Sequence, residues 1–339
     1  MTLEYSVWIP PDNLAYLLTQ KYSRIIVYAQ QEWQYTVFHG IEELIDYSLI
    51  NDVPLYIIVC TGEYSILHEL SDPRFKNVHL IRWDSFWLTH SLESFKDVGV
   101  LTAVNTTFKY PFISRNNRPH YHRCVLMDTL AKFNLIDRGA VSWLETGYQQ
   151  ETGPELPSSN RGYRFKYWTP VRRVLDQHFA DHTCSLNIRP IQYEQSFMQV
   201  ISESTTASFV VTEKTAASIF LKKLFLVHAA PGYHSMLNKY YGIEKYDELF
   251  DYGFDANPDI VARAEGLAEN VYRITSMSAT EWAYWYNKLL PKLIHNQKIF
   301  LDRALDKTSI PDLIYETRTS IFSTSELVSF VEKCENINI

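Results

Sequence analysis

Continuous apolar, β-branched runs separated by segments of helical spacing constrain this chain more than any other feature. The runs at 25–29, 55–60 and 78–83 have strand character, and 39–49 and 64–70 have helical character between them. A strand that is apolar on successive residues must be covered on both faces, and helical connections between such strands give parallel pairing. The alternation resumes further on, with a helix expected over 119–134, a strand over 140–144 and a helix near 170–180. A strand over 196–202, a strand and helix across 209–222 and a strand over 224–228 follow. Turn-rich residues from Ser114 to Pro119 divide the two halves. The expected fold is α/β: two Rossmann-like domains facing a cleft, spanning 1–115 and 116–278, with helices in 279–339. The amphipathic stretch 280–305 is expected to kink or break at Pro291, a shorter helix is expected over 326–332, and both would pack back on the first domain.

A length of 339 residues suits two cores better than one, and 46% hydrophobic content suits a globular chain. The formal net charge of −7 argues against bulk attraction to nucleic acid or anionic membrane, so any polyanion site must be local. Cys60, Cys124, Cys184 and Cys334 form no paired spacing and no signal peptide precedes them, which points to a reducing, cytoplasmic compartment. No apolar run is long enough for a membrane span.

The chemistry concentrates near residue 210. Phe209-Val210-Val211 leads into Thr212, a good N-cap for a helix beginning at Glu213, and Lys214 lies in its first turn. A helix start offers unpaired N–H groups and partial positive charge, worth about 0.3–1 kcal/mol to an anion, and Lys214 adds a full charge. A carboxylate at Glu213 can accept two hydrogen bonds from the vicinal hydroxyls of a ribose. The bland reading is that Thr212 and Glu213 cap a helix and Lys214 is solvated.

The stretch 195–237, with Glu203 at a strand end and Val211-Thr212-Glu213-Lys214 at a helix start, resembles the donor-binding half of α1,3-fucosyltransferases. The segment 116–139 is similar to the part of that family that gives an arginine to the diphosphate, and Arg123 is the matching position. The resemblance covers 116–272. It departs from the family at Ser202, Ser204 and Val210, which stand where Phe, Asn and Tyr are usual, so it does not specify the nucleobase or sugar. The stretch 246–252 is also similar to phage glycosyltransferases, some of whose relatives modify hydroxymethylated pyrimidines in DNA.

The resemblance implies a GT-B glycosyltransferase using a nucleoside-diphosphate sugar as co-substrate, inverting, with no further cofactor. Arg123 and Lys214 would hold the diphosphate, Glu213 the ribose, with Ser204 and Thr212 beside them. Glu203 would face the sugar or the charge developing at its anomeric carbon. An inverting transfer also needs a general base. Glu32, Glu63 and Asp84 each follow an expected strand, where an acceptor would arrive; Glu63 and Asp84 are the preferred candidates, although each also suits a loop or cap. His120 and His122 lack the partners of a metal site and no Asp-x-Asp pair occurs, so a metal-independent mechanism is expected.

One basic stretch stands out in an acidic chain. Arg161, Arg164, Lys166, Arg172 and Arg173 alternate with Tyr163, Phe165, Tyr167 and Trp168, and 158–174 carries no acidic residue. Cations for phosphates and rings for bases are the components of a nucleic-acid groove, which makes Arg161, Tyr163, Arg164, Lys166, Trp168 and Arg172 the candidate acceptor residues. The partner so implied is double-stranded DNA carrying 5-hydroxymethylpyrimidine, in host cytoplasm if phage-encoded. The alternatives are a cell-surface or lipopolysaccharide glycan acceptor, and a non-catalytic nucleotide- or DNA-binding protein. A phosphoryl transferase is disfavoured by the lack of a G-x-x-x-x-G-K-[ST] loop.

Overall fold

A computed structural model describes residues 2–6, 14–29, 41–59, 75–82, 103–116, 119–144, 163–175, 191–204, 206 and 209–305. Glu32, Glu63, Asp84, Arg161 and the expected helices at 64–70 and 326–332 lie outside them. Among the described residues the chain forms two four-stranded parallel sheets.

The first sheet contains β1 (Thr2–Ser6), β2 (Arg24–Ala29), β3 (Leu55–Val59) and β4 (Val78–Arg82), in the order β1-β2-β3-β4. The short α1 (Leu14–Leu17) joins β1 to β2, and α2 (Ile41–Asn51) joins β2 to β3. Leu3, Ile25, Leu55 and Val78 share one row of the register. Ile25, Ile26 and Val27 are successive and fully buried, so β2 is covered on both faces. Leu44 and Ile45 of α2 supply part of the cover.

The second sheet has the order β6-β5-β7-β8, from β5 (Tyr110–Asn116), β6 (Ala140–Trp143), β7 (Ser196–Ser202) and β8 (Leu224–His228). The central β5 is absent from the sequence expectation, and a domain boundary after residue 115 would cut it; sheet membership assigns β5 to the second unit. Pro111 is tolerated there because it precedes Ile113, the first β5 residue paired with β6. Every residue of β7 is buried, as expected for an inner strand of a covered parallel sheet.

Among the described residues six helices accompany this sheet: α3 (Tyr121–Lys132), α4 (Ile191–Glu194), α5 (Glu213–Phe220), α6 (Tyr233–Tyr241), α7 (Ile260–Thr275) and α8 (Ala279–Leu305). Residues 170–175, expected to begin a helix, form irregular backbone instead, with Arg173 bridged to Trp143. The residues 209–211, expected as a strand, are likewise irregular.

The long C-terminal helix corrects two expectations. It runs unbroken through Pro291. Its packing is against the second sheet: Trp282, Tyr286, Leu289, Leu293 and Phe300 join that core, Tyr286 Oη donates to Lys222 O at 3.0 Å and Gln297 Nε2 to Phe220 O at 2.5 Å. Buried side chains on both sides of Pro291, each contributing about 1.5–3 kcal/mol, outweigh the cost of about 3 kcal/mol for an interior proline.

Past β8 the backbone turns through Gly232, whose φ of 75° is left-handed and suits glycine. Asp255 pins the turn by accepting from His234 Nδ1 at 2.8 Å and from the backbone N–H groups of His234 and Ser235.

Candidate functional site

The order β6-β5-β7-β8 has a topological switch. From β5 the chain moves outward to β6 and then returns to β7 on the other side of β5. In open parallel sheets the crevice at the carboxyl ends of two such strands is where ligands bind. Here those ends are Asn116 and Ser202, and they lead towards the N-termini of α3 and α5.

Thr212 is the N-cap of α5, as expected, and its hydroxyl accepts from Lys214 N at 3.4 Å. Lys214 Nζ donates to Glu213 Oε1 at 2.7 Å, to Thr212 Oγ1 at 3.3 Å and to Ser204 Oγ at 3.5 Å. The pair is only partly exposed, at 20% for Lys214 and 15% for Glu213. Burial works against ionisation of Glu213, yet the charge and hydrogen bond of Lys214 and the charge of Arg123 hold its carboxyl below the ordinary value. Arg123, in the first turn of α3 and 6% exposed, is thus within electrostatic reach of Glu213. Four of the expected donor residues, Ser204, Thr212, Glu213 and Lys214, touch directly, and Arg123 lies across the switch from them.

Glu203 has a different occupation from the one expected. It is fully buried, and its carboxylate accepts from the hydroxyls of Thr212 at 2.5 Å, Thr215 at 2.5 Å and Tyr233 at 3.1 Å. The backbone N–H groups of Thr212 and Ser204 add longer bonds of 3.3 Å each. With its lone pairs filled by the protein, Glu203 binds the end of β7 to the start of α5, and its carboxylate is closed off where an open one was expected. Burial pushes its carboxyl up from the ordinary value, against the opposing pull of Lys214 and the two threonines. Nothing in the local sequence announces Tyr233, thirty residues downstream.

Two buried histidines border this cage. His122 Nε2 lies 2.7 Å from Glu203 O and His228 Nε2 lies 3.1 Å from Ile260 O; carbonyl partners assign the proton to Nε2 in both rings. Burial pushes both imidazoles down, His122 well below its usual value with help from Arg123, and His228 to about 4. Neutral rings at these positions leave the positive charge to Arg123 and Lys214. Asn116 Oδ1 and Ser202 Oγ, on the last residues of β5 and β7, are buried without a hydrogen-bond partner.

The basic stretch is anchored by a residue that sequence reasoning missed. Asp128, buried in α3, accepts from the backbone N–H groups of Lys166 at 2.9 Å, Tyr167 at 2.8 Å and Trp168 at 3.0 Å, and from Tyr163 Oη at 3.1 Å. The available signal was a lone carboxylate inside the apolar run Val125–Leu130. Tyr163 and Trp168 are not a free stacking platform. Trp168 packs edge-on against Trp143 and Phe165, and Tyr163 against Tyr121 and Phe165, because half-buried rings lose more water inward than outward. Arg164, Lys166, Tyr167 and Arg172 remain exposed. Arg173 instead pairs with Asp137 at 2.9 Å.

Among the described residues no group of three or more His, Cys, Asp or Glu is arranged to hold a metal ion, and no helix is long and apolar enough to cross a membrane. The chain matches no family model, no curated protein and no solved structure.

Proposed function

We propose that this chain is a nucleotide-sugar-dependent glycosyltransferase of GT-B architecture, inverting and metal-independent. The observation that carries the reading is that the Glu213–Lys214 pair and the first turn of α3, which bears Arg123 and is held to Glu203 O by His122 Nε2 at 2.7 Å, both lie at the switch point of a parallel sheet. Two cations on separate helices suit a diphosphate that gains charge as its sugar departs, the kind of preorganised stabilisation that lowers a barrier most. Glu213 offers a carboxylate to ribose hydroxyls. Glu203 is reassigned from catalysis to positioning, and the general base is sought at Glu63 or Asp84 in the first unit, by sequence position alone.

For the acceptor, 5-hydroxymethylpyrimidine in double-stranded DNA remains the favoured class. The exposed cations Arg164, Lys166 and Arg172 are suited to backbone phosphates, while the inward packing of Tyr163 and Trp168 leaves Tyr167, over which Lys132 Nζ lies at 5.8 Å, as the exposed ring of the segment. The test is incubation with hydroxymethylcytosine DNA and a panel of sugar nucleotides, following nucleoside-diphosphate release and nucleoside mass. A sugar-sized mass increase is expected. Release with only a glycan acceptor would move the activity to cell-surface or lipopolysaccharide glycans, and no release with any acceptor would identify a non-catalytic nucleotide- or DNA-binding protein.

A further inference from the structure

Glu213 and Lys214 are sequence neighbours whose side chains close on each other. The ammonium carries three protons, and Glu213, Thr212 and Ser204 provide three acceptors for them, the carboxylate at 2.7 Å being the nearest. An arriving phosphate therefore meets a lysine already bound to an anion. Free phosphate or pyrophosphate can take the place of the long Ser204 and Thr212 contacts, but it must then share the ammonium with Glu213 and sets new negative charge beside a largely buried carboxylate. A nucleoside diphosphate differs in one respect. Its vicinal ribose hydroxyls can return to Glu213 the hydrogen bonding that is given up when the diphosphate takes Lys214.

We propose that Glu213 is a specificity-determining residue, which keeps inorganic phosphate and pyrophosphate off Lys214 and admits diphosphates that carry a ribose. This inference rests on the nucleotide-donor reading of the same site. It gives one carboxylate two linked tasks, competition with the phosphate and reward for the ribose, because a phosphate draws the ammonium away from Glu213 and only a ligand that also brings hydroxyls can make good that loss.

The test is calorimetric titration of the wild-type chain, Glu213→Gln and Glu213→Ala with inorganic pyrophosphate and with a panel of nucleoside diphosphates. Pyrophosphate should bind each variant about fivefold more tightly, and the best nucleoside diphosphate about tenfold more weakly. The opposite signs are the decisive result, since simple removal of a negative charge would tighten both ligands. The alanine variant guards against the glutamine amide bonding directly to phosphate. Tightening of both ligands, or no gain for pyrophosphate in either variant, would overturn the role of Glu213 while leaving a wild-type nucleotide site in place. Failure of the wild-type chain to bind any nucleoside diphosphate would instead overturn the donor reading, and the inference with it.

Discussion

Two buried carboxylates of the second unit each tie a distant segment in place, Glu203 from the end of β7 and Asp128 from α3, but with different donors. Glu203 is held mainly by the hydroxyls of Thr212, Thr215 and Tyr233, whereas Asp128 is held mainly by the backbone N–H groups of Lys166, Tyr167 and Trp168. A hydroxyl can rotate and accept as well as donate; a backbone N–H only donates. The Glu203 cage can therefore adjust to a changed side chain, and the Asp128 clamp cannot. One holds the candidate catalytic face with local freedom. The other fixes the basic segment in a single geometry.

The largest expected effect tests this contrast directly. Asp128→Asn would remove the charge that holds three backbone N–H groups and set an amide N–H against that of Lys166, and should cost about 3 kcal/mol, while Glu203→Gln should cost about 1 kcal/mol because the threonine and tyrosine hydroxyls can reorient. Urea unfolding of the two variants measures the difference. Equal losses would break the comparison.

The next effect comes from acid. His228, neutral and pushed down to about 4, is protonated in the unfolded chain below about pH 6.5 but not in the folded one. Stability is lost as pH falls through that window, by about 2 kcal/mol at pH 5 from this residue alone, and His122 adds to the loss. Glu203 has the opposite sign: its raised carboxyl takes up a proton more readily in the folded state, so its contribution is lost as pH rises. Glu203→Gln should thus steepen the acid loss and His228→Gln should flatten it, as read from unfolding midpoints at pH 7 and pH 5. A wild-type stability that does not change between these values would contradict the neutral histidines.

On the Glu203 side, Lys214→Ala should lower kcat/KM at least tenfold, about 1.4 kcal/mol, with the fold retained. Turnover equal to wild type would remove Lys214 from the site. The smallest effect belongs to the Asp128 side: neutralising Arg164, Lys166 and Arg172 together should flatten the salt dependence of DNA binding by about 0.9 in log–log slope for each phosphate that these cations cease to neutralise. An unchanged slope would sever the basic segment from DNA.

The same contrast explains what the sequence could reveal. The strands β2, β3, β4, β6, β7 and β8 are legible because their apolar runs are the local imprint of two covered faces. The central β5 is not, since Pro111 and the polar end Ser114-Arg115-Asn116 resemble a turn, and its partners lie far along the chain. Thr212, Glu213 and Lys214 are legible as a contiguous cap. The burial of Glu203 depends on Tyr233 and the clamp at Asp128 on residues 163–168, and pairings of that separation leave no periodic signature. Pro291 misleads for a related reason, because burial along α8 decides its continuity and local propensity does not.

Arg123 and Asp128 stand on the same helix, five residues apart, which is about 7.5 Å of axial rise. That spacing acts as a ruler. A single residue inserted between them would rotate one relative to the other by about 100°, carrying either the cation away from Glu213 or the carboxylate away from the backbone of residues 166–168. Substitutions along α3 between these positions are open to drift as long as they keep the core filled, but its length there is not, and the two segments it serves can change over time only as a matched pair.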